Sequence, residues 1–115
     1  MSATSDCLFC KVAAGEIPAD VVRRTDRFVA FRDINPQAPT HVLVIPTDHV
    51  RSLNEGTDAK VLGDLLLFAR DTAREEGLAD RGYRVVLNTN ADGGQTVFHL
   101  HAHVLGGRRL TWPPG

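Results

Sequence analysis

Hydrophobic side chains recur along the chain at two different spacings, which predict helices in some segments and strands in others. A 3.6-residue period predicts the longer helix over residues 57–76, with Thr57 as its cap. Its apolar positions are Val61, Leu62, Leu65, Leu66, Ala69 and Ala73, and its charged face carries Lys60, Asp64, Asp71, Arg74 and Glu75. A shorter helix is expected over residues 7–14, capped by Asp6 and ended by Gly15.

Short apolar segments between and after the helices predict strands. We expect these strands at residues 21–22, 27–33, 41–45, 83–88 and 97–105. Alternation in the second segment places Phe28 and Ala30 on one face and Val29 and Phe31 on the other. The order helix, three strands, helix, two strands joins neighbouring strands without helices between them. This order favours antiparallel pairing and an α+β fold.

Composition and charge narrow the class of protein. The 115 residues (12.5 kDa) fit a single domain over 1–115, with a flexible start at 1–5 and a C-terminal tail at 107–115. Hydrophobic residues make up 43%, which is too many for a disordered chain. The net charge of −1 argues against nucleic-acid binding, and no apolar run is long enough to span a membrane. No secretion signal is visible, so we expect a cytoplasmic protein without a disulfide framework.

Three histidines alternate with apolar residues near the end of the chain. In a strand, His99, His101 and His103 would share one face, with Leu100 and Ala102 on the other. Hydrogen-bonded structural histidines, a metal site and an acid–base or nucleophilic site all remain possible. The spacing alone does not separate the metal site from imidazole catalysis.

A glycine-rich loop precedes these histidines at residues 90–95. Glycines let backbone N–H groups approach an anion closely, and the side chains of Asn88 and Thr96 add further donors. A plain turn has the same composition. Directly before the histidines, however, the loop is suited to form half of a phosphate site.

These motifs resemble the histidine-triad family, whose signature of three histidines separated by apolar residues is matched in full by residues 99–105. Residues 15–19, 31–41, 92–95 and the Trp-Pro-Pro-Gly ending at 112–115 are similar to the Hint branch of that family, which contains purine nucleoside phosphoramidases. The resemblance covers nearly all of the chain from Cys7 onward. It implies an antiparallel sheet of about five strands with two helices, continued across a homodimer.

The resemblance also implies a role for individual residues. His101 matches the nucleophile that takes the nucleotidyl group, His103 a phosphate contact and His41 a histidine that supports proton transfer. Asn88, Gly94, Gln95 and Thr96 match the phosphate loop, where threonine keeps the hydroxyl of the commoner serine. Asp33 matches the ribose-binding carboxylate. The slot for the base corresponds to Leu8, Phe9, Val12, Phe31 and Ile34.

The implied activity is hydrolysis of the P–N bond in AMP or GMP phosphoramidates through a nucleotidyl-histidine intermediate. Covalent catalysis of this kind leaves a labile P–N bond that water can cleave. Two alternatives stay open: hydrolysis of dinucleoside polyphosphates, and a nucleotide-binding module with incidental hydrolysis. The ending at 112–115 favours the phosphoramidase branch.

The Cys7-x-x-Cys10 pair can be interpreted in more than one way. A thioredoxin-type redox pair is disfavoured because the motif opens the chain instead of following a strand, while a plain pair of buried cysteines fits the spacing. The resemblance implies structural zinc, since some histidine-triad proteins bind it through a matching set, here Cys7, Cys10, His49 and His99. Four protein ligands close the coordination shell, so no catalytic metal is expected.

Overall fold

The computed structural model describes residues 6–55 and 58–115 and has one antiparallel sheet at its centre. The strands are β1 (Val21–Arg24), β2 (Phe28–Arg32), β3 (Thr40–Pro46), β4 (Tyr83–Val86) and β5 (Ala102–Gly106). Their order across the sheet is β1-β2-β3-β5-β4, and every neighbouring pair is antiparallel. The α+β prediction is confirmed. The last strand lies between β3 and β4, which makes β4 an edge strand.

Both faces of the sheet are buried, and the predicted alternation assigns each residue to the correct face. Phe28 and Ala30 join the larger hydrophobic cluster, which also holds the buried residues of the long helix. Val29 and Phe31 belong to the smaller cluster, which holds the first helix. The pairing of β2 with β3, from Phe28↔Pro46 to Arg32↔Val42, places each β2 side chain beside a β3 side chain on the same face of the sheet. The two apolar faces explain why β2 and β3 read as nearly continuous hydrophobic segments.

The long helix, α2 (Ala59–Glu75), packs one apolar stripe against the sheet. Its N-cap is Asp58, whose side chain accepts a hydrogen bond from the Val61 N–H, whereas the predicted cap Thr57 lies outside the described residues. The predicted stripe needs one correction, because Leu66 is 48% exposed and Phe68 is buried instead. Phe68 lies on the same helical face as Leu65 and Thr72, three and four residues away.

The short helix, α1 (Leu8–Ala13), begins one residue later than predicted. Cys7 is the N-cap in place of Asp6, since the Cys7 Sγ accepts a hydrogen bond from the Cys10 N–H at 3.4 Å. The predicted stop is correct, because Gly15 follows the C-cap with φ of +76°. The first helical turn therefore depends on the same two cysteines as the candidate metal site.

Three further predictions, for the region from β4 to β5, need correction. Of the predicted strand at 97–105, only the part from Ala102 onward pairs in the sheet, because the Pro46 carbonyl at the end of β3 accepts from a histidine side chain instead of continuing the ladder. The predicted loop at 90–95 contains one helical turn, α3 (Asn90–Gly93), closed by Gly94 with φ of +84°. The strand predicted at 83–88 ends earlier, at Val86.

Within the described ranges, no helix combines the length and the hydrophobicity that crossing a membrane requires. The radius of gyration is 13.5 Å, close to the value expected of a compact chain of this length.

Candidate active site

Two of the predicted catalytic histidines meet across the central strands. His41 and His103 lie on β3 and β5 as diagonal neighbours on the α1 face of the sheet, with His41 Nε2 2.9 Å from His103 Nδ1. The backbone N–H of Gln37 donates to His41 Nδ1 at 3.0 Å. His41 Nδ1 is therefore an acceptor, so a neutral His41 carries its proton on Nε2 and donates it to His103. His103 then carries its own proton on Nε2.

Asp33 completes this pair from the loop that follows β2. Its Oδ2 lies 3.4 Å from His41 Nε2, while its Oδ1 accepts a hydrogen bond from the Asn35 N–H at 2.8 Å. The carboxylate therefore holds the His41 ring from the side opposite Gln37. Its side chain keeps 19% of its surface exposed, so the predicted contact with ribose hydroxyls is sterically open.

His101, the predicted nucleophile, lies next to this pair and is 6% exposed. Its Nδ1 is 2.7 Å from the carbonyl oxygen of His99. A carbonyl can only accept, so Nδ1 carries the proton and the lone pair is on Nε2. The His101 ring contacts the Phe9 ring edge-on at 5.1 Å and the His103 ring at 5.0 Å. These contacts fix the orientation of a neutral imidazole whose lone pair is on Nε2.

Burial keeps the histidines of the site uncharged near neutral pH. Desolvation lowers the pKa of His101 and His41, although the Asp33 carboxylate partly opposes this effect. Desolvation also lowers the pKa of His103, to about 4, and the neighbouring imidazoles of His101 and His41 act in the same direction. The site therefore holds three neutral rings with defined tautomers, which can attack, donate and relay a proton.

A second cluster brings together all four residues of the predicted metal site. The ligand atoms of Cys7, Cys10, His49 and His99 lie within 4.8 Å of one another. Three sulfur–nitrogen pairs are resolved: Cys7 Sγ to His99 Nδ1 at 3.4 Å, Cys10 Sγ to His49 Nδ1 at 3.4 Å, and Cys10 Sγ to His99 Nδ1 at 3.5 Å. Tetrahedral zinc with ordinary Zn–S and Zn–N bonds requires S···N separations of about 3.5 Å. The four residues fit the ion.

The surroundings of His99 also suit a metal ligand. Its Nε2 donates to the Pro46 carbonyl at 2.8 Å, which leaves the lone pair on Nδ1, the atom that faces both sulfurs. His99 is fully buried, and burial lowers its pKa to about 4, so the ring is neutral as coordination requires. The N–H of Cys10 points at the Cys7 sulfur. Cys10 on α1, its N-cap Cys7 and a histidine before β5 would thus be tied together by one ion.

The predicted phosphate loop is formed by the residues between β4 and the histidines. Asn88 is half-buried and Thr96 is exposed, so both side chains are open to a ligand. The backbone N–H of Gly94 is already used, because it donates to the Ala91 carbonyl. Gln95 is buried: its Oε1 accepts from the Asn90 N–H, and its Nε2 donates to the carbonyls of Arg51 and Val97. Gln95 therefore shapes the loop through its side chain.

The predicted base slot is assembled only in part. Phe9, Val12 and Phe31 pack together in the smaller hydrophobic cluster. Leu8 is 47% exposed and lines a cleft of about 430 Å³ that also contains Thr96. Ile34 is fully exposed beside Asp33. The first three residues support the histidine face of the sheet, while Leu8 and Ile34 offer uncovered apolar surface.

Two groups of the site have no signal in the sequence. The Gln37 N–H and the Pro46 carbonyl set the tautomers of His41 and His99, but both belong to the backbone. The structural role of Gln95 could be suspected only from its place beside two glycines.

Comparison with known proteins gives consistent matches. Residues 14–110 match the HIT domain. A crystallised HIT family hydrolase from Legionella pneumophila superposes with a TM-score of 0.93 at 53% identity, covering 96% of this chain and 100% of that one. An uncharacterized HIT-like protein of Synechococcus elongatus is 52% identical over 97% of this chain and 99% of its own. A 14 kDa zinc-binding protein of Zea mays is 48% identical over 96% and 89%.

Proposed function

This chain belongs to the HIT domain family, and we propose that it hydrolyses the P–N bond of adenosine or guanosine 5′-monophosphoramidates, releasing the nucleoside monophosphate and an amine. The coarser function, a nucleotide-binding hydrolase, follows from the family and from its likeness to the Legionella pneumophila hydrolase. The observation that carries the finer proposal is the tautomer of His101. Its Nδ1–H is held by the His99 carbonyl, so Nε2 presents a lone pair.

The first step transfers the nucleotidyl group to the protein. His101 Nε2 attacks the phosphorus, and the substrate P–N bond breaks. The amine leaves with a proton that the pair of His41 and His103 passes to it from solvent. The His103 Nε2–H donates to a phosphate oxygen, where negative charge is concentrated in the transition state. Asn88 and Thr96 add neutral donors from the loop. These uncharged hydrogen-bond donors stabilise the phosphoryl group without adding a charge that would repel the nucleophile.

The second step returns His101 to its starting form. Water attacks the phosphorus, the His101–phosphorus bond breaks, and the monophosphate leaves. The pair of His41 and His103 shares a proton across 2.9 Å and is therefore suited to move protons between the site and solvent. Asp33 stabilises any positive charge that forms on His41.

The direct experiment measures AMP release from adenosine 5′-phosphoramidate by the wild-type protein and by His101→Ala. We expect rapid release by the wild type alone, with AMP binding retained in the variant. No release by a folded wild-type protein that binds AMP would favour a binding module. Faster cleavage of diadenosine polyphosphates in a parallel assay would favour that second hydrolase activity.

Zinc at the Cys7, Cys10, His49 and His99 cluster is proposed as a structural ion. Four protein donors at S···N separations of 3.4 to 3.5 Å leave no position for substrate. When bound, the ion would supply a cross-link between α1 and the segment before β5. The chemistry of P–N cleavage is thus assigned to the imidazoles.

A homodimer is proposed as the working form. The edge strand β4 leaves backbone groups unpaired on one side, and a second copy could continue the sheet there. All four β4 residues are only half-buried in the single chain. Sedimentation over a range of protein concentrations tests this, with a dimer expected and a monomer at every concentration as the contrary result.

A further inference from the structure

A cleft remote from the histidines lies where α2 ends. It has a volume of about 400 Å³ and is lined by Gly77, Leu78, Arg81, Gly82, Gly107, Arg108 and Arg109. An adjoining cleft of about 370 Å³ shares Arg81, Gly82, Arg108 and Arg109 and adds Tyr83, Arg84 and Leu110. Leu78 belongs to the hydrophobic cluster on the face of the sheet opposite the histidines. Neither cleft is lined by a residue of the triad or of the metal cluster.

The arginines of these clefts differ from most other arginines of the protein. Five arginines elsewhere have a carboxylate within 4.0 Å: Arg23, Arg27, Arg32, Arg70 and Arg74. Within residues 6–55 and 58–115, no carboxylate lies within that distance of the four cleft arginines, Arg81, Arg84, Arg108 and Arg109. The chain as a whole has a net charge of −1, so positive charge is concentrated at this site.

The contacts that these arginines do make leave their charges uncompensated. Arg108 donates to the carbonyls of Gln37 and Arg109, and Arg84 donates to the carbonyl of Thr111. The C-terminal carbonyls of α2, which could attract cations, already accept from the N–H groups of residues 76–78. The one acid next to the group along the chain is Asp80, a single carboxylate against four guanidinium groups.

The floor of the cleft is closely packed, which fixes the position of Arg108. A Cβ at Gly106 would lie 2.8 Å from the Leu78 side chain, and one at Gly107 would lie 2.9 Å from Pro39. Gly107 also has a φ of +90°, which side-chain-bearing residues rarely adopt. These two glycines let the backbone leading to Arg108 lie directly on Leu78 and Pro39. Arg108 is then held by Gln37, so part of the basic surface is rigid before any ligand arrives.

We propose that this basic cleft binds a small anion that carries at least two phosphate groups, such as a pyrophosphate or triphosphate unit. Guanidinium groups bind phosphate oxygens through paired, charge-assisted hydrogen bonds. Three of them, Arg81, Arg108 and Arg109, line the first cleft, which contains no residue of the β4 edge proposed for the homodimer, and three match a chain of phosphates better than a single phosphate. The combined space lies in the range of small-molecule sites. This site is separate from the one assigned to P–N cleavage and does not depend on that assignment.

The test is an amide NMR titration of the full chain with sodium pyrophosphate and sodium triphosphate, with saturating AMP present throughout. Zinc content is measured before and after, because phosphates chelate metal. We expect saturable shifts of the Gly77, Gly82 and Gly107 amides and at least about tenfold tighter binding than with orthophosphate. The variant Arg81→Gln/Arg109→Gln should bind at least about tenfold more weakly. Arg70→Gln, at an arginine paired with Asp71, is the matched control and should bind within about twofold of wild type.

Three results would overturn the proposal. The first is a titration in which only residues of the histidine site shift. The second is an affinity for orthophosphate equal to that for pyrophosphate and triphosphate, or a loss of affinity in Arg70→Gln equal to that in the double variant. The third is a pair of observations: the amides of the three cleft glycines do not shift in the wild type, and the Arg81→Gln/Arg109→Gln variant sediments differently from the wild type. The cleft would then be an interface between copies of the chain.

Discussion

Two clusters of histidines meet at the segment before and within β5, and they are built for different chemistry. His99 points a lone pair at two sulfurs, whereas His101 and His103, two and four residues later, face a carboxylate and a third histidine. All three are flanked by the same kind of apolar neighbour. The comparison shows that residue type and spacing do not decide the role of a histidine. The hydrogen bond to its other ring nitrogen, and the donors opposite, decide it.

The distances separate the two clusters further. In the cysteine cluster three sulfur–nitrogen pairs are 3.4 to 3.5 Å apart, which is the edge of a tetrahedron around a metal. In the other cluster His41 and His103 approach to 2.9 Å, which is the length of a hydrogen bond with a proton between the nitrogens. Asp33, His41 and His103 could in principle ligate an ion, but this short contact favours proton sharing.

The largest effect is expected from His101→Ala. Loss of the proposed nucleophile should lower kcat by at least about 10³-fold, because the other two rings of the site, His41 and His103, carry their protons on Nε2 in the tautomers described above. Zinc content and AMP affinity should stay close to those of the wild type, measured by elemental analysis and calorimetry. If His101→Ala keeps more than a tenth of the wild-type activity, the proposed division into a catalytic cluster and a metal-binding cluster is contradicted.

His41→Asn should have the next largest effect, about 10²-fold on kcat with a smaller change in KM. The variant removes the ring that donates to His103, while the nucleophile keeps its own hydrogen bond. Gln37→Ala is the matched control, since Gln37 contacts His41 through its backbone N–H. Steady-state kinetics on both variants checks this. An equal loss of kcat in the two would contradict proton transfer through His41 and His103.

Cys10→Ser tests the other cluster. We expect loss of bound zinc and a decrease of at least about 2 kcal/mol in the free energy of unfolding, because the ion stabilises only the folded chain. Treatment of the wild type with a chelator should have the same effect and should leave the variant unchanged. Thermal unfolding with metal analysis measures both. Equal stability of the zinc-loaded and chelated wild type would speak against a structural ion.

The smallest effect concerns pH. Burial lowers the pKa of His103 from 6.5 to about 4, so the unfolded chain takes up a proton there before the folded chain does. The stability that this group contributes is complete above pH 6.5 and is lost as the pH falls from 6.5 towards 4. Between pH 7 and 5, the wild type should lose about 1 kcal/mol more than His103→Gln. Denaturant unfolding at several pH values measures this, and parallel losses would contradict it.

The sequence predicts which face each histidine takes, even though the strand is shorter than expected. Alternation requires only an extended backbone, so Leu100 and Ala102 reach the larger hydrophobic cluster although Leu100 lies outside β5. The predicted cap Asp6 is wrong for a local reason, because the Cys7 side chain accepts a hydrogen bond from the N–H three residues on. The other predicted cap, Thr57, lies outside the described residues. The sequence does not predict the tautomers of the histidines, because these are set by hydrogen bonds to backbone groups of other segments, such as the Gln37 N–H and the Pro46 carbonyl.

The proposed catalytic cluster resembles a known motif closely enough that the sequence predicts its members, but not the hydrogen bonds between them. The resemblance assigns Gln95 to phosphate binding, whereas in the structure its side chain contacts three backbone groups: the Asn90 N–H, the Val97 carbonyl and, from the segment after β3, the Arg51 carbonyl. It assigns Ile34 to the base slot, where that side chain is fully exposed in the single chain. Both differences arise from packing that one sequence does not reveal.

The central claim is that His101, and no other histidine, carries the nucleotidyl group. The direct measurement is a rapid acid-free quench of wild-type protein with adenosine 5′-phosphoramidate, followed by peptide mapping by mass spectrometry. The account predicts one added AMP on His101, removed by mild acid as a P–N bond requires. Full product formation with no label on His101, or a label on His103 or His41, would contradict it.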